Sequence, residues 1–533
     1  MSSNTKVIFF YFNEKKFSAL EGFTIGEALL YNNIHTFSRS IKYHRPRGYF
    51  CGTGQCNHCA VEVDGVGSVK ACITPLKEGM KIHSQNHYPS LNFDLMRVSD
   101  FVFKPYLDSA RMKLFRGKLS PVSMRFLKKY VGVATLPNDN RDKVDNNIEQ
   151  LTTDVLVIGL GKYGMESAIV AGEFGANVIG IDSLPNIAMN DERLLALEKN
   201  KKIKIFSNTS AVYIEKKDVW KIGCYKDDKQ YIEIYANSLI ISTGRNYTVP
   251  PYENADLPGV YTFKAFKNLI IHKAISPKNV VIDSVYLNDD DVSFLDKNRL
   301  NYTFIVRENY PKVLEKFGKI VNSKIVKLKG FSRVNEVIMD SGMHIKLDAF
   351  ISTSFYPSSG ILFNLGCEMD YIDNVGFVPK ISKYLECSKD NVFVSGYCGG
   401  VFKDLLKAAK IAGINAAVKG HKSSYSLREY TEGYADVFTN GYIGELSNRM
   451  FICTCEDVTY KELEKSIKEG YTDIEKMKRY TGIGTGMCQG KSCMMNAVKY
   501  MKNNNIEAKM TTQRPPVMTV KLGSLVGDKD EKN

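Results

Sequence analysis

The residues best equipped for chemistry in this sequence are cysteines. Cys51-Gly-Thr-Gly-Gln-Cys56-Asn-His-Cys59 is followed, after a short strand-like run, by Cys72. C-x4-C-x2-C with a fourth, distant Cys is the plant-type spacing for a [2Fe–2S] cluster. Three thiolates on one tight loop can reach both irons, and the fourth returns on a hairpin. Gly52 and Gly54 suit a loop that wraps closely and needs positive φ angles. A structural zinc site or a disulfide cluster is the competing reading. Zinc sites usually pair C-x2-C with another short ligand pair, which the 51–59 spacing lacks. A second constellation opens at Cys453-Thr-Cys455 and closes at Cys488-Gln-Gly-Lys-Ser-Cys493. A helix expected after Cys493 aims its positive N-terminus at these ligands, which favours an anionic cluster. Four-cysteine zinc competes here too.

A third pattern is made of glycines. Thr153-Asp-Val-Leu-Val-Ile-Gly159-Leu-Gly161-Lys-Tyr-Gly164 reads as a buried strand, a Gly-rich turn and a helix start, and Asp182 ends the next strand. That is the dinucleotide fingerprint. Gly159 allows the tight turn, Gly161 lets backbone approach a pyrophosphate, and Gly164 permits close helix packing. Asp182 would accept from the adenosine ribose. Thr243 and Gly244 follow a further strand and resemble a turn that many flavoproteins bring near the dinucleotide. Gly396-Tyr397 stands where flavoproteins usually carry Gly-Asp. The tyrosine leaves FAD, NAD and ATP all open at the Gly159 site. A second dinucleotide motif would fall at about 263–355. Asn279-Val-Val-Ile-Asp283 supplies its strand, but acids (Asp289, Asp290, Asp291) follow instead of glycines, so NADPH is not expected there. Arg45 and Arg47, in Lys42-Tyr-His-Arg-Pro-Arg-Gly48, read either as a solvated basic loop or as a guanidinium pair holding a cofactor phosphate. No Ser-His-Asp pattern or acid–base pair is evident, and the eight His are isolated, so no catalytic residue is assigned. Cys398 reads as a turn residue, with no His near it in sequence to activate it.

Positioning these groups takes several domains, since 533 residues exceed one ordinary core. The expected class is α/β: a Rossmann-like two-dinucleotide flavoprotein core flanked by two small cluster domains. Residues 1–92 form the first, with a hairpin about Asn13-Glu-Lys, a helix opened by the Thr24/Glu27 capping box, and the Cys loop. This matches the β-grasp ferredoxin arrangement. A linking arm follows over 93–150, then the dinucleotide core over 151–430. A small helical cluster domain spans 440–505, with capping boxes at Thr459/Glu462 and Thr472/Glu475. An extended tail, 506–533, completes the chain. The formal charge of +14 is spread along the chain, which favours an acidic partner surface over a nucleic-acid stripe. No run of eighteen apolar residues is present, and the start lacks a signal pattern. Eight of the twelve Cys sit in the two constellations and four (Cys224, Cys367, Cys387, Cys398) are scattered, a usage that fits a reducing cytoplasm.

Several of these motifs together resemble one family. They are Lys42-Tyr-His-Arg-Pro-Arg-Gly, the 51–72 cysteines, the Gly159 fingerprint, Cys453-Thr-Cys-Glu-Asp-Val-Thr, Lys478-Arg-Tyr-Thr, Met487-Cys-Gln-Gly-Lys-Ser-Cys and Arg514-Pro-Pro. The chain looks like the alpha subunit of heteromeric sarcosine oxidase and its relatives: octopine and nopaline oxidases, hydrogen cyanide synthase and dye-linked proline dehydrogenases. The second cysteine region resembles the bacterioferritin-associated-ferredoxin-like (BFD-like) fold, which binds [2Fe–2S]. The resemblance implies that the amine is oxidised at FAD on a separate beta subunit, with further small subunits in some complexes. It implies FMN at the interface, an adenine nucleotide on this chain, and electrons passing to two [2Fe–2S] clusters. The sarcosine oxidase subunit continues into a folate-binding, aminomethyltransferase-like domain; this chain ends at Asn533, so folate chemistry is not implied. The competing functions are a self-contained NAD(P)H:acceptor reductase and a zinc-bearing scaffold.

Overall fold

The computed structural model describes residues 6–98, 145–185, 192–227, 230–250, 252–284, 286–306, 310–373, 375–421, 424–435, 446–512 and 520. Most of the expected linking arm, and most of the tail with its Arg514-Pro-Pro, lie outside them. The chain divides into two compact units. One comprises the described parts of Met1–Asn138, Tyr247–Ser354 and Phe438–Lys509; the other those of Asp139–Asn246, Phe355–Val437 and Met510–Asn533.

The first unit begins with a five-stranded mixed sheet. Its strand order is Lys15–Leu20, Val7–Phe12, Lys81–His83, Ala60–Val63, Val66–Lys70. The first two form the expected hairpin, in register Phe10↔Phe17, turning through Asn13 and Glu14 at positive φ. Alternation along Val7–Phe12 buries Ile8, Phe10 and Phe12, as period-2 patterning requires. Helix Ile25–Tyr31 starts from the Thr24/Glu27 capping box and buries Ile25, Ala28, Leu29 and Leu30. This is the β-grasp arrangement expected for residues 1–92.

The middle segment of this unit is a five-stranded parallel sheet, in the order Val260–Thr262, Ala349–Ser352, Asn279–Asp283, Asn301–Val306, Gly318–Asn322. Its central strands, Ala349–Ser352 and Asn279–Asp283, are buried almost throughout, as strands covered on both faces demand. The third segment pairs Phe451–Cys453 with Val458–Thr459 and adds helices Tyr460–Lys468, Ile474–Thr481 and Met494–Asn503. The Thr459/Glu462 box is present. The next helix is capped by Asp473, whose carboxylate accepts from the Glu475 and Lys476 amides, and not by Thr472. A carboxylate one residue on reaches two orphan N–H groups and displaces the expected hydroxyl.

The second unit is built on a seven-stranded sheet. Ile203–Phe206, Val178–Ile181, Asp145–Ile158, Gln230–Ile241 and Val392–Val394 run parallel, and Trp220–Lys226 and Thr209–Lys216 continue antiparallel. The Asp145–Ile158 strand begins inside the span read from sequence as linking arm. Helices Lys162–Glu173 and Leu405–Gly420 lie against one another. Gly413 makes that approach possible, since a Cβ there would sit 2.5 Å from the Ser167 carbonyl oxygen.

Candidate cluster and nucleotide sites

The four cysteines of 51–72 converge and all are buried. Gly52 and Gly54 hold φ of 67° and 69°. A Cβ on Gly54 would meet Ile73 at 2.6 Å and one on Gly52 would meet the Ala265 Cα at 2.9 Å, so the loop is walled in as well as tightly turned. Cys72 returns because the Ala71 amide donates to the Cys59 carbonyl at 3.2 Å. Burial pushes the Cys51 thiol up, but hydrogen bonds from the Cys56 and Cys72 thiols overrule it and leave Cys51 well below its ordinary value. Backbone amides also point at sulfur: Thr53 to Cys51 at 3.5 Å and Cys72 to Cys59 at 3.4 Å.

The second constellation is equally closed. The Cys493 thiol donates to Cys453, and Cys455 donates to Cys488. Amides of Gly484 and Glu456 face Cys453, and those of Gly490 and Ser492 face Cys488. Cys493 forms the N-cap of helix Met494–Asn503, as expected. Lys491, half-buried, stands between Cys488 and Cys493 in the chain; desolvation and the nearby Lys70 push its ammonium down to about 8, against an opposing pull from Cys488. Among the described residues no group of three or more His, Cys, Asp or Glu side chains is arranged around a single ion. The thiols of this second site meet in pairs, Cys453 with Cys493 and Cys455 with Cys488.

Two buried groups beside the first loop test whether an anion fits there. Among the described residues the Tyr49 hydroxyl and His58 Nε2 have no hydrogen-bond partner. Tyr49 lies in the field of Cys72, Glu27, Cys51 and Cys59. Buried polar groups left this way are rare in folded proteins, and an anionic cluster among the thiolates supplies an acceptor. The donor set and its orphans therefore fit [2Fe–2S].

The two constellations adjoin, a proximity that no motif in the chain announces. The backbone amide of Asn57, between Cys56 and Cys59, faces the Cys455 sulfur. Gln55 Nε2 reaches the Ser492 hydroxyl at 3.4 Å and the Tyr247 carbonyl at 2.6 Å, while its Oε1 accepts from the Tyr247 amide at 3.0 Å. Each Cys loop thus touches a residue of, or next to, the other ligand set.

Arg45 and Arg47, read from sequence as phosphate holders, are instead engaged by carboxylates. Arg45 makes a two-point contact with Asp256, 2.7 and 2.8 Å, and also reaches Asn254 at 3.0 Å. Arg47 bonds Asp256 at 2.5 Å and Asp457 at 2.6 Å. Asp457 also accepts the Lys42 and Tyr43 amides, and Lys42 Nζ pairs with Glu462 at 2.8 Å. All these groups are buried. The planar fork that suits a phosphate suits a carboxylate equally, and the carboxylates come from 209 and 410 residues away.

In the second unit the glycine turn is formed as expected. Gly159 has φ of 99°, and its Cβ would lie 2.4 Å from the Ser242 carbonyl oxygen; a Cβ on Gly164 would lie 1.9 Å from the Gly159 oxygen. Gly161 is the N-cap of helix Lys162–Glu173 with no side-chain cap, and the space where its Cβ would go is open. The helix thus begins without a side-chain cap and on an open side, a geometry suited to a phosphate. Asp182 braces this turn: its carboxylate accepts the Leu160 and Leu184 amides, each at 2.8 Å, while burial pushes its pKa up. Thr243 donates to the Ser358 carbonyl at 2.7 Å, and Gly244 turns at φ 74°. Gly396 packs against the Tyr163 ring, 3.0 Å from its Cβ position. Tyr397 stacks edge-on to Tyr163 and Phe355 and lies 4.5 Å from the Arg245 guanidinium. Cys398 donates to the Ile241 carbonyl at 2.9 Å, and burial pushes its thiol up to about 11, which suits a turn residue and not a nucleophile. The acidic 289–291 run forms the first turn of helix Asp289–Lys297, and Asp291 closes its own capping box with Asn288, so the chain's own acids meet that helix dipole.

Two family models match. A 2Fe-2S iron-sulfur cluster binding domain covers residues 5–87, and a Sarcosine oxidase A3 domain covers 447–529, enclosing the second cysteine set. The sarcosine oxidase alpha subunit of Rhizobium meliloti strain 1021 is 23% identical over 97% of this chain. Along nearly its whole length the chain is similar to a sarcosine oxidase alpha subunit. It spans 57% of that relative's length. An opine oxidase subunit from Agrobacterium tumefaciens strain Ach5 is 20% identical, covering 70% of this chain and 91% of its own. Among solved structures, L-proline dehydrogenase from P. horikoshii superposes with a TM-score of 0.72 at 22% identity over 99% of both chains, so the architecture is shared throughout. Among the described residues no helix is long and apolar enough to cross a membrane.

Proposed function

We propose that this chain is the electron-transfer subunit of a heteromeric flavin-dependent amine or amino-acid dehydrogenase or oxidase, of sarcosine or proline type. The observation that carries the reading is the adjacency of the two cysteine sites, with Gln55 reaching Ser492 and the Asn57 amide facing the Cys455 sulfur. Cys51, Cys56, Cys59 and Cys72 would hold one [2Fe–2S] cluster, and Cys453, Cys455, Cys488 and Cys493 a second, in a BFD-like domain. Such clusters, when bound, supply one-electron carriers for the electron pair that amine oxidation delivers. The protein's part is to keep both sites dry, to aim amides at the sulfurs, and to hold the two loops in contact.

In the second unit, Gly159, Gly161 and Gly164 present the helix amides to the phosphates of an adenine nucleotide, with Asp182 bracing the turn and Thr243, Gly244 and Gly396 shaping its surroundings. FAD, NAD and ATP all meet those requirements. A partner beta subunit would carry the FAD that oxidises the substrate, with FMN at the interface, and the complex would work in the cytoplasm. The names of the relatives, both of them oxidase subunits, support a partnered enzyme.

The test is purification from native cells. The expected result is a second, flavin-binding polypeptide in fixed ratio, and dye reduction with sarcosine, proline or a related amine by the complex only. If the chain comes alone, carries iron, and reduces dye with NADH, the reductase reading replaces this one. A colourless chain carrying zinc would leave neither.

A further inference from the structure

The Tyr49 ring is buried against the first cysteine loop, with 2% of its surface exposed. It is wedged from two sides. A Cβ on Gly26, in helix Ile25–Tyr31, would meet the ring at 2.7 Å, and one on Gly52, next to Cys51, would meet the hydroxyl at 3.3 Å. Glycine at both places is what lets the ring lie with its hydroxyl over the Cys51–Gly52 peptide. That hydroxyl has no hydrogen-bond partner among the described residues. Glu27, a carboxylate that acts on the same hydroxyl, already accepts the Thr24 amide at 2.8 Å and is paired with His272 at 2.9 Å. The other charged neighbours of the hydroxyl are Cys72, Cys51 and Cys59. Phenylalanine would fill the same space without burying an unsatisfied O–H, so packing alone does not account for tyrosine.

We propose that the Tyr49 hydroxyl donates a hydrogen bond to the anionic cluster held by Cys51, Cys56, Cys59 and Cys72, and thereby raises its reduction potential above that of an otherwise identical site. The inference rests on the cluster reading of those cysteines. One-electron reduction adds a negative charge to the site and no proton. A donor aimed at its sulfur atoms favours the more negative state, so the potential rises. The second constellation provides an internal reference within the same molecule, since Tyr49 contributes nothing to it.

The experiment is a dye-mediated redox titration of the full complex, followed by electron paramagnetic resonance, on the native protein and on Tyr49→Phe. The expected result is a lower potential for the first cluster, a changed g-tensor for that signal, unchanged iron content, and an unmoved second cluster. An unchanged first potential at full iron loading overturns the proposal while leaving the cluster reading intact. Absence of any first-cluster signal in the native protein removes the cluster reading itself. Should Tyr49→Phe emerge without its first cluster, iron and sulfide are supplied in vitro. Recovery of the cluster allows the same titration, and failure to recover it makes the hydroxyl a structural prop and overturns the tuning role.

Discussion

Asp256 shows how one residue can carry more than its surroundings suggest. It neutralises Arg45 and Arg47 together inside the protein. Burial alone would raise its pKa, but the two guanidiniums overrule that and hold the carboxyl well below its ordinary range. Replacing Asp256 with Asn keeps the shape and leaves two buried cations underpaired. A loss of about 3–5 kcal/mol is expected for breaking such a pair, seen as a lowered melting temperature. The sign of the pH dependence follows from the depressed value. The contribution is present above the unfolded pKa of about 3.8 and is lost as pH falls through the folded one. The melting difference between native protein and Asp256→Asn should therefore be flat from pH 8 down to about 5 and shrink only in strong acid. A difference that vanishes near neutrality would contradict the ion-pair account. None of this was legible in the sequence. Arg45 and Arg47 announce a need for an anion, and nothing local says whether a phosphate or a carboxylate answers it. The cysteines were legible because their spacing is itself the constraint.

At the scale of elements, local chemistry carried further. The Thr24/Glu27 and Thr459/Glu462 boxes, the Asn13 hairpin and the strand–turn–helix at Gly159 all formed where short-range patterns placed them, because each is satisfied within a few residues. The exception has an equally local cause: Asp473 out-competes Thr472 as a cap. Gly164→Ala should break the turn, since its Cβ would fall 1.9 Å from the Gly159 oxygen with no side chain able to yield. Purified variant complex is expected to release less than a tenth of the adenine nucleotide that native complex releases on heating, measured by chromatography. Full retention would mean that the nucleotide is held elsewhere. Substituting Asp182 with Asn should have a milder effect, because an amide oxygen still accepts one of the two backbone bonds.

At the scale of the molecule, the motifs mark out contiguous spans, while the compact units are assembled from separated ones. Periodicity and motifs report on neighbours in the chain, and the contacts that bind residues 247–354 to the two cysteine regions are long-range. Cys453→Ser should remove the second cluster and roughly halve the iron, leaving one electron paramagnetic resonance signal without spin–spin splitting. Cys56→Ser should do the converse. Splitting in the fully reduced native protein is the signature of clusters as near as the Asn57–Cys455 contact brings their loops. Its absence at full iron content would separate them.

The three-part make-up of the first unit also bears on synthesis. Arg47 leaves the ribosome 410 residues ahead of Asp457. At roughly 5–20 residues per second that is a wait of about 20–80 s. Throughout it the first cysteine loop lacks the neighbours supplied by 438–509, and its thiols are open to alkylation or oxidation. Assembly of its metal centre is then a race against translation, and the last part of the unit to be made is the one that closes it.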